Sequence, residues 1–263
     1  TFLIANDDGA ESPFLPAMVA ALRPLGTVRV CVPAEEQSWK AKAMSRWARI
    51  HAKPLPHLGA DAFAVTGTPS DCVNLGLHHL FPTKPDWVIS GINIGWNVGT
   101  SFAINSGTVG AAIEGGLCGV PSVAFSTHMP PELFQQWAKQ RRFTSPEGAE
   151  IASAASARMA RIMAALGKTG LPAGALMLNV NFPSTGAATA PIRWVPLEDN
   201  RYGNLFMPDG DGYLHTFVNP RNHLTPQGER PSDKDVVMEG AISATLVSLA
   251  GMSLPPPADL RLE

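Results

Sequence analysis

The 263-residue chain is poor in cysteine, aromatic residues and charge, with three Cys, 7% Phe, Trp and Tyr together and 16% Asp, Glu, Lys and Arg. Each shortage excludes something. Cys31, Cys72 and Cys118 are odd in number and far apart, which argues against a disulfide framework and against the close pairs of a structural zinc site. They read as buried thiols of a reducing compartment, and a soluble cytoplasmic protein is the expectation. A formal net charge of −2 leaves no basic face from which a nucleic-acid polymer or an anionic membrane would release counterions. No apolar run approaches the ~20 residues that span a bilayer, and Thr1 opens directly into a strand with no basic leader before it. Neither the phosphate-loop pattern Gly-x-x-x-x-Gly-Lys-Ser/Thr nor Gly-x-Gly-x-x-Gly after the first strand is present, against an NTPase and a dinucleotide oxidoreductase. What remains is a 45% hydrophobic chain, long enough to bury a full core, whose partners are small molecules.

Short apolar runs alternate with amphipathic helices, the pattern of a parallel sheet covered on both faces. Strands are expected at Phe2–Ala5, Val28–Pro33, Trp87–Ile92, Ser122–Ser126 and Leu176–Asn181. The first helix is expected to use Ser12 as N-cap and Pro13 as its first residue, burying Phe14, Leu15, Met18, Val19 and Leu22. Thr68-Pro69-Ser70-Asp71 repeats the start signal, with Asp71 closing a capping box. A long helix capped by Ser145 is expected from Pro146 to Leu166, ended by Gly167. From Phe182 to Asp235 periodicity is lost among Gly, Pro, Asn and Asp, with isolated Trp194, Tyr202, Phe206, Tyr213 and Phe217, which predicts a projecting hairpin or swapped arm. Val236 to Ala250 predicts a return to the sheet, and Pro255-Pro256-Pro257 an unstructured tail. The expected fold class is α/β, a Rossmann-like three-layer parallel sheet. Its core spans residues 1–190 and 236–252, its arm 191–235 and its tail 253–263.

The polar residues gather where strands end. Asn6-Asp7-Asp8-Gly9 follows the first strand. Two adjacent carboxylates there repel each other and cost several kcal/mol to desolvate unless a cation or water reaches them. A plain turn is the other reading, since Asp and Gly both favour turns. Ligands of parallel α/β sheets collect at the carboxyl ends of the strands. At those ends stand Asp7 and Asp8, then Gln37-Ser38, then Asn93-Ile94-Gly95-Trp96-Asn97-Val98-Gly99. Carboxylate, hydroxyl and amide oxygens without His or Cys form a hard-oxygen set that favours Mg²⁺, Mn²⁺ or Ca²⁺. His51, His57, His78 and His79 follow no ligand spacing and read as surface or packing residues. Asn105-Ser106-Gly107-Thr108-Val109-Gly110 opens an Ala-rich helix through Cys118. Small residues at a helix N-terminus admit an anion to the backbone N–H groups, and the dipole adds roughly half a positive charge there.

These motifs, with Gly67-Thr68-Pro69-Ser70-Asp71-Cys72, Ser90-Gly91-Ile92-Asn93 and Glu114-Gly115, resemble in order and spacing those of the SurE family, metal-dependent 5′-nucleotidases. The likeness is strong over residues 1–126 and weaker beyond, at Leu178-Asn179-Val180-Asn181 and Glu239-Gly240. The resemblance implies one divalent cation, Mg²⁺, Mn²⁺ or Ca²⁺, on Asp7, Asp8, Ser38 and Asn93, with Asp7 and Asp8 catalytic. It implies a phosphate region of Asn97, Ser106, Gly107 and Thr108, and release of phosphate from nucleoside monophosphates, other phosphomonoesters or polyphosphate. It also implies a homodimer or tetramer formed by exchanging C-terminal segments. The chain departs from the family pattern at Trp39, Lys40 and Lys42 beside Ser38, at Asn105 before Ser-Gly-Thr, and at Thr100 and Ser101. Trp39 either stacks on a substrate base or packs its loop, and Lys40, Lys42 and Arg46 either bind phosphate or face solvent. Water activation by the metal and attack by Asp8 to give an aspartyl-phosphate both stay open, as does a non-catalytic nucleotide or metal sensor.

Overall fold

The computed structural model describes residues 1–216 and 231–249. In chain order its elements are β1 (Phe2–Ala5), α1 (Leu15–Leu22), β2 (Val28–Pro33), β3 (Ala52–Pro54), β4 (Ala62–Val65), α2 (Pro69–His78), β5 (Trp87–Ile94), α3 (Gly99–Asn105), α4 (Gly107–Leu117), β6 (Ser122–Thr127), α5 (Pro131–Gln140), α6 (Pro146–Thr169), β7 (Met177–Phe182), β8 (Ile192–Trp194), β9 (Phe206–Asp209), β10 (Gly212–His215), α7 (Asp233–Met238) and β11 (Ile242–Val247). One sheet runs in the order β3-β4-β2-β1-β5-β6-β7-β11-β8, and β9 and β10 pair as a separate antiparallel hairpin. From β4 to β7 the neighbours are parallel, while β3 and β11 run antiparallel to β4 and β7.

Alternation within the strands builds the layers. In β1, Phe2 and Ile4 join a core with Phe14, Leu15 and Met18 and with Met159 and Met163 of α6, whereas Leu3 and Ala5 join Cys72 and Val73 of α2 and Ala111 of α4. A strand that is apolar at every position has to be covered on both faces. Full burial of each large side chain contributes roughly 1.5–3 kcal/mol, so this double cover fixes the α/β class expected from the sequence.

The five expected strands are present, two of them longer, at Trp87–Ile94 and Ser122–Thr127, and the last shifted to Met177–Phe182. The helix caps need correction. Ser12 does not cap α1: its N–H donates to Gly9 and its carbonyl accepts from Leu15, so its backbone is spent on two successive turns and the helix starts at Leu15. The Ser12 hydroxyl is left buried without a hydrogen-bond partner. Ser145 occupies the N-cap of α6 but makes no side-chain cap bond, and the helix continues past Gly167 to Thr169. An interior Gly costs a helix only about 1 kcal/mol, and the end comes at Gly170, whose φ of 70° takes the left-handed turn. The Thr68–Asp71 capping box forms as expected.

Within the stretch expected as an arm, Ile192–Trp194 joins the main sheet beside β11, and Phe206 to His215 form the hairpin. The expected return to the sheet begins with α7, and its strand is confined to Ile242–Val247. Residues 217–230, with Phe217, and 250–263, with the proline tail, lie outside the described residues. No described helix is long and apolar enough to cross a membrane.

Candidate active site

The carboxyl ends of β1, β2, β5 and β6 meet on one edge of the sheet, and the acidic pair lies at its centre. Asp7 and Asp8 are each 3% exposed. Asn6 folds the turn around them, its side chain donating to and accepting from the Gly9 backbone. One Asp7 oxygen accepts the Thr108 hydroxyl, and Asp8 Oδ2 accepts Ile94 N–H at 3.1 Å. The first turn of α4 and the end of β5 therefore grip the two carboxyls. Among the described residues neither forms an ion pair. Burial pushes the Asp7 carboxyl up to about 6, the Thr108 bond opposing it and the Glu36 charge adding to it. Asp8 is driven well above the usual carboxylate range by burial first and by the Asp7 charge second.

Helix α4 comes right up to this pair. A Cβ on Gly107 would stand 2.7 Å from Asp7 Cβ and 3.0 Å from Asp7 Oδ2, so only glycine lets the helix N-terminus approach so closely. Ser106 caps the helix, its hydroxyl accepting Val109 N–H at 3.1 Å. Thr108, expected in the phosphate region, is fully buried and spends its hydroxyl on Asp7.

Ser38 and Trp39 ride on a loop that is tied down along its length. Gln37 N–H donates to the Asp7 carbonyl at 2.7 Å, and Ser38 N–H donates to Glu36 Oε1 at 2.7 Å. Further on, Ala41 N–H donates to the Asn105 carbonyl, the Thr68 hydroxyl to the Ala43 carbonyl and Ser45 N–H to Asp71. The loop presses on α4 where a Cβ on Gly110 would stand 2.2 Å from the Ala41 carbonyl oxygen. Lys42 is paired at 2.5 Å with the buried Glu114, which also accepts from Asn74 at 2.8 Å. Burial raises the Glu114 carboxyl, but the bonds from Lys42 and Asn74 outweigh it and hold the group below its ordinary value. Trp39, half-buried with a left-handed φ of 62°, meets Phe102 and Tyr202 edge-on at 6.0 Å each and His215 at 4.7 Å. Tyr202 also accepts from the Asn105 side chain.

Asn93 donates its amide N–H to the Gly95 carbonyl at 2.8 Å, which leaves its amide oxygen as the acceptor on that side chain. Asn97 is buried and held on three groups: its N–H donates to Asn181 Oδ1, its side-chain amide donates to Ser126 Oγ at 2.7 Å, and its carbonyl accepts from Asn179. The structure thus brings Asp7, Gly107 and Thr108 into direct contact beside Asp8, and sets Ser38 on a loop and Asn93 at the end of β5, each next to a residue bonded to the same pair. Two residues were passed over in the sequence, Glu36 and Arg141, whose side chains pair at 3.6 Å. An acidic pair Glu35-Glu36 straight after a strand end was the available signal for the first; nothing in the sequence places the second. His51, His57, His78 and His79 are all exposed, in keeping with surface roles. Among the described residues no three His, Cys, Asp or Glu side chains converge on one point, so any cation site draws on hydroxyl and amide oxygens as well.

A sequence model of the family described as survival protein SurE matches residues 2–204. The chain belongs to the SurE family. It is 37% identical over 255 residues to 5′-nucleotidase SurE 1 of Thermus thermophilus, covering 94% of this chain and 91% of that protein. It is 34% identical over 272 residues to 5′-nucleotidase SurE of Geobacter sulfurreducens, covering 98% of this chain and 93% of the relative. The crystal structure of the SurE protein from Aquifex aeolicus superposes with a TM-score of 0.74 at 28% identity, over 95% of this chain and 94% of that one. The SurE likeness therefore extends well past the strongly matching stretch that ends at residue 126.

Proposed function

We propose that this SurE chain is a divalent-metal-dependent phosphomonoesterase, a 5′-nucleotidase that releases phosphate from nucleoside monophosphates. The observation that carries the reading is the Asp7–Asp8 pair: two adjacent buried carboxyls, unpaired with any described cation, at the strand-end edge where α4 also begins. Two such groups are stable together only when protonated or when a cation neutralises them. Asp7 and Asp8, the Ser38 hydroxyl and the Asn93 amide oxygen form an all-oxygen donor set of the kind that suits Mg²⁺ or Mn²⁺, with Ca²⁺ as a further candidate. A cation held there supplies Lewis-acid charge to the phosphoryl oxygens.

The protein's own groups do the rest by position. Thr108 and Ile94 N–H fix the rotamers of Asp7 and Asp8, so neither carboxyl has to reorganise as charge develops on the substrate. The first turn of α4 offers its partial positive charge beside Asp7, and with Asn97, Ser106, Gly107 and Thr108 it forms the phosphate side of the site. Trp39 is the lock of the Ser38 loop: with three rings against it, its indole holds the loop rather than lying open to a base. The reading extends to a homodimer or tetramer built through the C-terminal segments, supported by the exposed Phe206, Met207, Tyr213 and Leu214 of the hairpin. The three free thiols suit a cytoplasmic setting. The experiment that tests the function is turnover of nucleoside monophosphates and p-nitrophenyl phosphate with Mn²⁺ against the same assay in EDTA. A protein that binds Mn²⁺ and nucleotide yet turns over neither substrate would be a sensor instead.

A further inference from the structure

Helix α5 walls one side of the site and delivers a cation that the SurE motifs do not include. At one end, Phe134 Cε2 lies 3.6 Å, and Asn93 Nδ2 3.8 Å, from the point a Cβ on Gly95 would occupy. At the other end, Arg141 Nη2 stands 3.6 Å from Glu36 Oε2, while Glu36 Oε1 accepts Ser38 N–H at 2.7 Å. The helix therefore reaches from the end of β5 at Asn93 and Gly95 to the Ser38 loop, and the residue that caps it, Arg141, sets its guanidinium beside the second. Arg141 takes a left-handed φ of 54°, uncommon for a residue with a side chain. Its N–H bonds the Trp137 carbonyl at 2.9 Å, its guanidinium lies 5.2 Å from the Trp137 ring centre, and Phe143 packs edge-on against Phe14 at 6.2 Å.

Two of the neighbouring cations are engaged elsewhere. Lys42 is paired with Glu114, and Arg46 lies over Trp47 at 4.6 Å. Arg141 is the cation whose partner, Glu36, carries the Ser38 N–H of that loop. Charge arithmetic shows the need for it. Asp7, Asp8 and Glu36 carry −3 when ionised and one divalent cation returns +2, leaving −1 before a dianionic ester arrives. Arg141 brings that edge to zero.

We propose that Arg141 is a substrate-binding residue whose guanidinium grips the outward oxygens of the phosphoryl group beside Ser38, aimed there by Glu36. This rests on the phosphomonoesterase reading above. A guanidinium presents two parallel N–H groups that match two phosphate oxygens, a geometry that lysine cannot reproduce.

The test titrates inorganic phosphate into the Mn²⁺-saturated protein by calorimetry, alongside steady-state kinetics on p-nitrophenyl phosphate. Arg141→Ala is expected to weaken phosphate binding about 10- to 100-fold and to raise KM by a similar factor, with most of the loss in KM rather than kcat. Mn²⁺ affinity and Tm should hold, and Arg141→Lys should recover part of the phosphate affinity. Unchanged phosphate affinity in a folded Arg141→Ala protein overturns the proposal. So does a fall in Mn²⁺ affinity or Tm in step with the phosphate loss, because that marks Arg141 as a strut of the Ser38 loop. Phosphate binding that depends on Arg141, in a protein that hydrolyses no ester, upholds the assignment and overturns the phosphomonoesterase reading instead.

Discussion

The edge around Asp7 and the hairpin of Phe206 to His215 are built on opposite principles. Around Asp7, buried polar groups are held by other buried polar groups: Thr108 on Asp7, Ile94 N–H on Asp8, Asn179 and Asn181 on Asn97. In the hairpin, apolar side chains stand in the open, with Tyr213 77% and Leu214 56% exposed. Among the described residues the first region holds an acidic pair without an ion-pair partner, which calls for a cation. The second leaves apolar surface uncovered, which calls for a protein partner, in our reading a second copy. Each region is thus read by what it lacks, and each lack can be tested alone.

The largest effect should come from the acidic pair. Asp8→Asn is expected to lower kcat on the order of 10³-fold or more with a much smaller change in KM, measured by phosphate release under saturating Mn²⁺. A change confined to KM would place Asp8 outside the chemistry. Next comes the hairpin. Tyr213→Ser with Leu214→Ser should shift the sedimentation profile toward monomer at micromolar concentration while leaving Mn²⁺ affinity intact. A wild-type protein that already sediments as a monomer would remove the basis for the contrast.

Much of the first region was legible because its signals are local. Phe2 to Ala5, Val28 to Pro33 and Trp87 to Ile92 read as strands from their apolar runs, and Asp7, Asp8, Ser38 and Asn93 each stand within a few residues of the end of such a run. What was not legible depends on contacts distant in sequence. Ser12 looked like a cap until the turn from Gly9 claimed its backbone. α5 was passed over although Leu133 and Trp137, its buried face, recur at helical spacing. The pairing of Arg141 with Glu36 joins residues more than a hundred positions apart, a separation at which no spacing rule operates. β8 has three exposed residues and gains strand form only from pairing with β11.

Two further predictions sharpen the contrast through charge. In the metal-free protein both carboxyls have folded-state pKa values above their unfolded ones, so the fold binds protons more tightly than the unfolded chain does. For Asp7 this means that stability declines as pH rises from 3.8 through about 6. A cation has to displace those protons, so Mn²⁺ affinity, read by calorimetry in buffers of different ionisation heat, should weaken as pH falls below about 6 with proton release on binding. Affinity flat between pH 5 and 8 would contradict the assignment of this pair as ligands.

Glu114 has the opposite sign. Its carboxyl is held below its ordinary 4.5, so the Lys42 pair stabilises the fold above that pH and the contribution is lost as pH falls through the lowered value. Glu114→Gln should cost about 1–2 kcal/mol in chemical denaturation at pH 7, discounted for the part-exposed lysine, and progressively less as pH falls through the lowered value. The smallest effect is reserved for Trp39. Trp39→Ala should reduce kcat/KM several-fold for nucleotides and for p-nitrophenyl phosphate alike, since the indole locks the loop. A loss confined to nucleotides would make it a base platform, the alternative worth ~1–3 kcal/mol per stacked base.

The measurement that bears most directly on the central claim is hydrolysis of p-nitrophenyl phosphate and a nucleoside monophosphate by one preparation, before EDTA, in EDTA and after Mn²⁺ is added back. The account predicts that EDTA abolishes turnover of both substrates and that Mn²⁺ restores it. Undiminished turnover in the chelator would contradict the claim that Asp7 and Asp8 are held together by a cation.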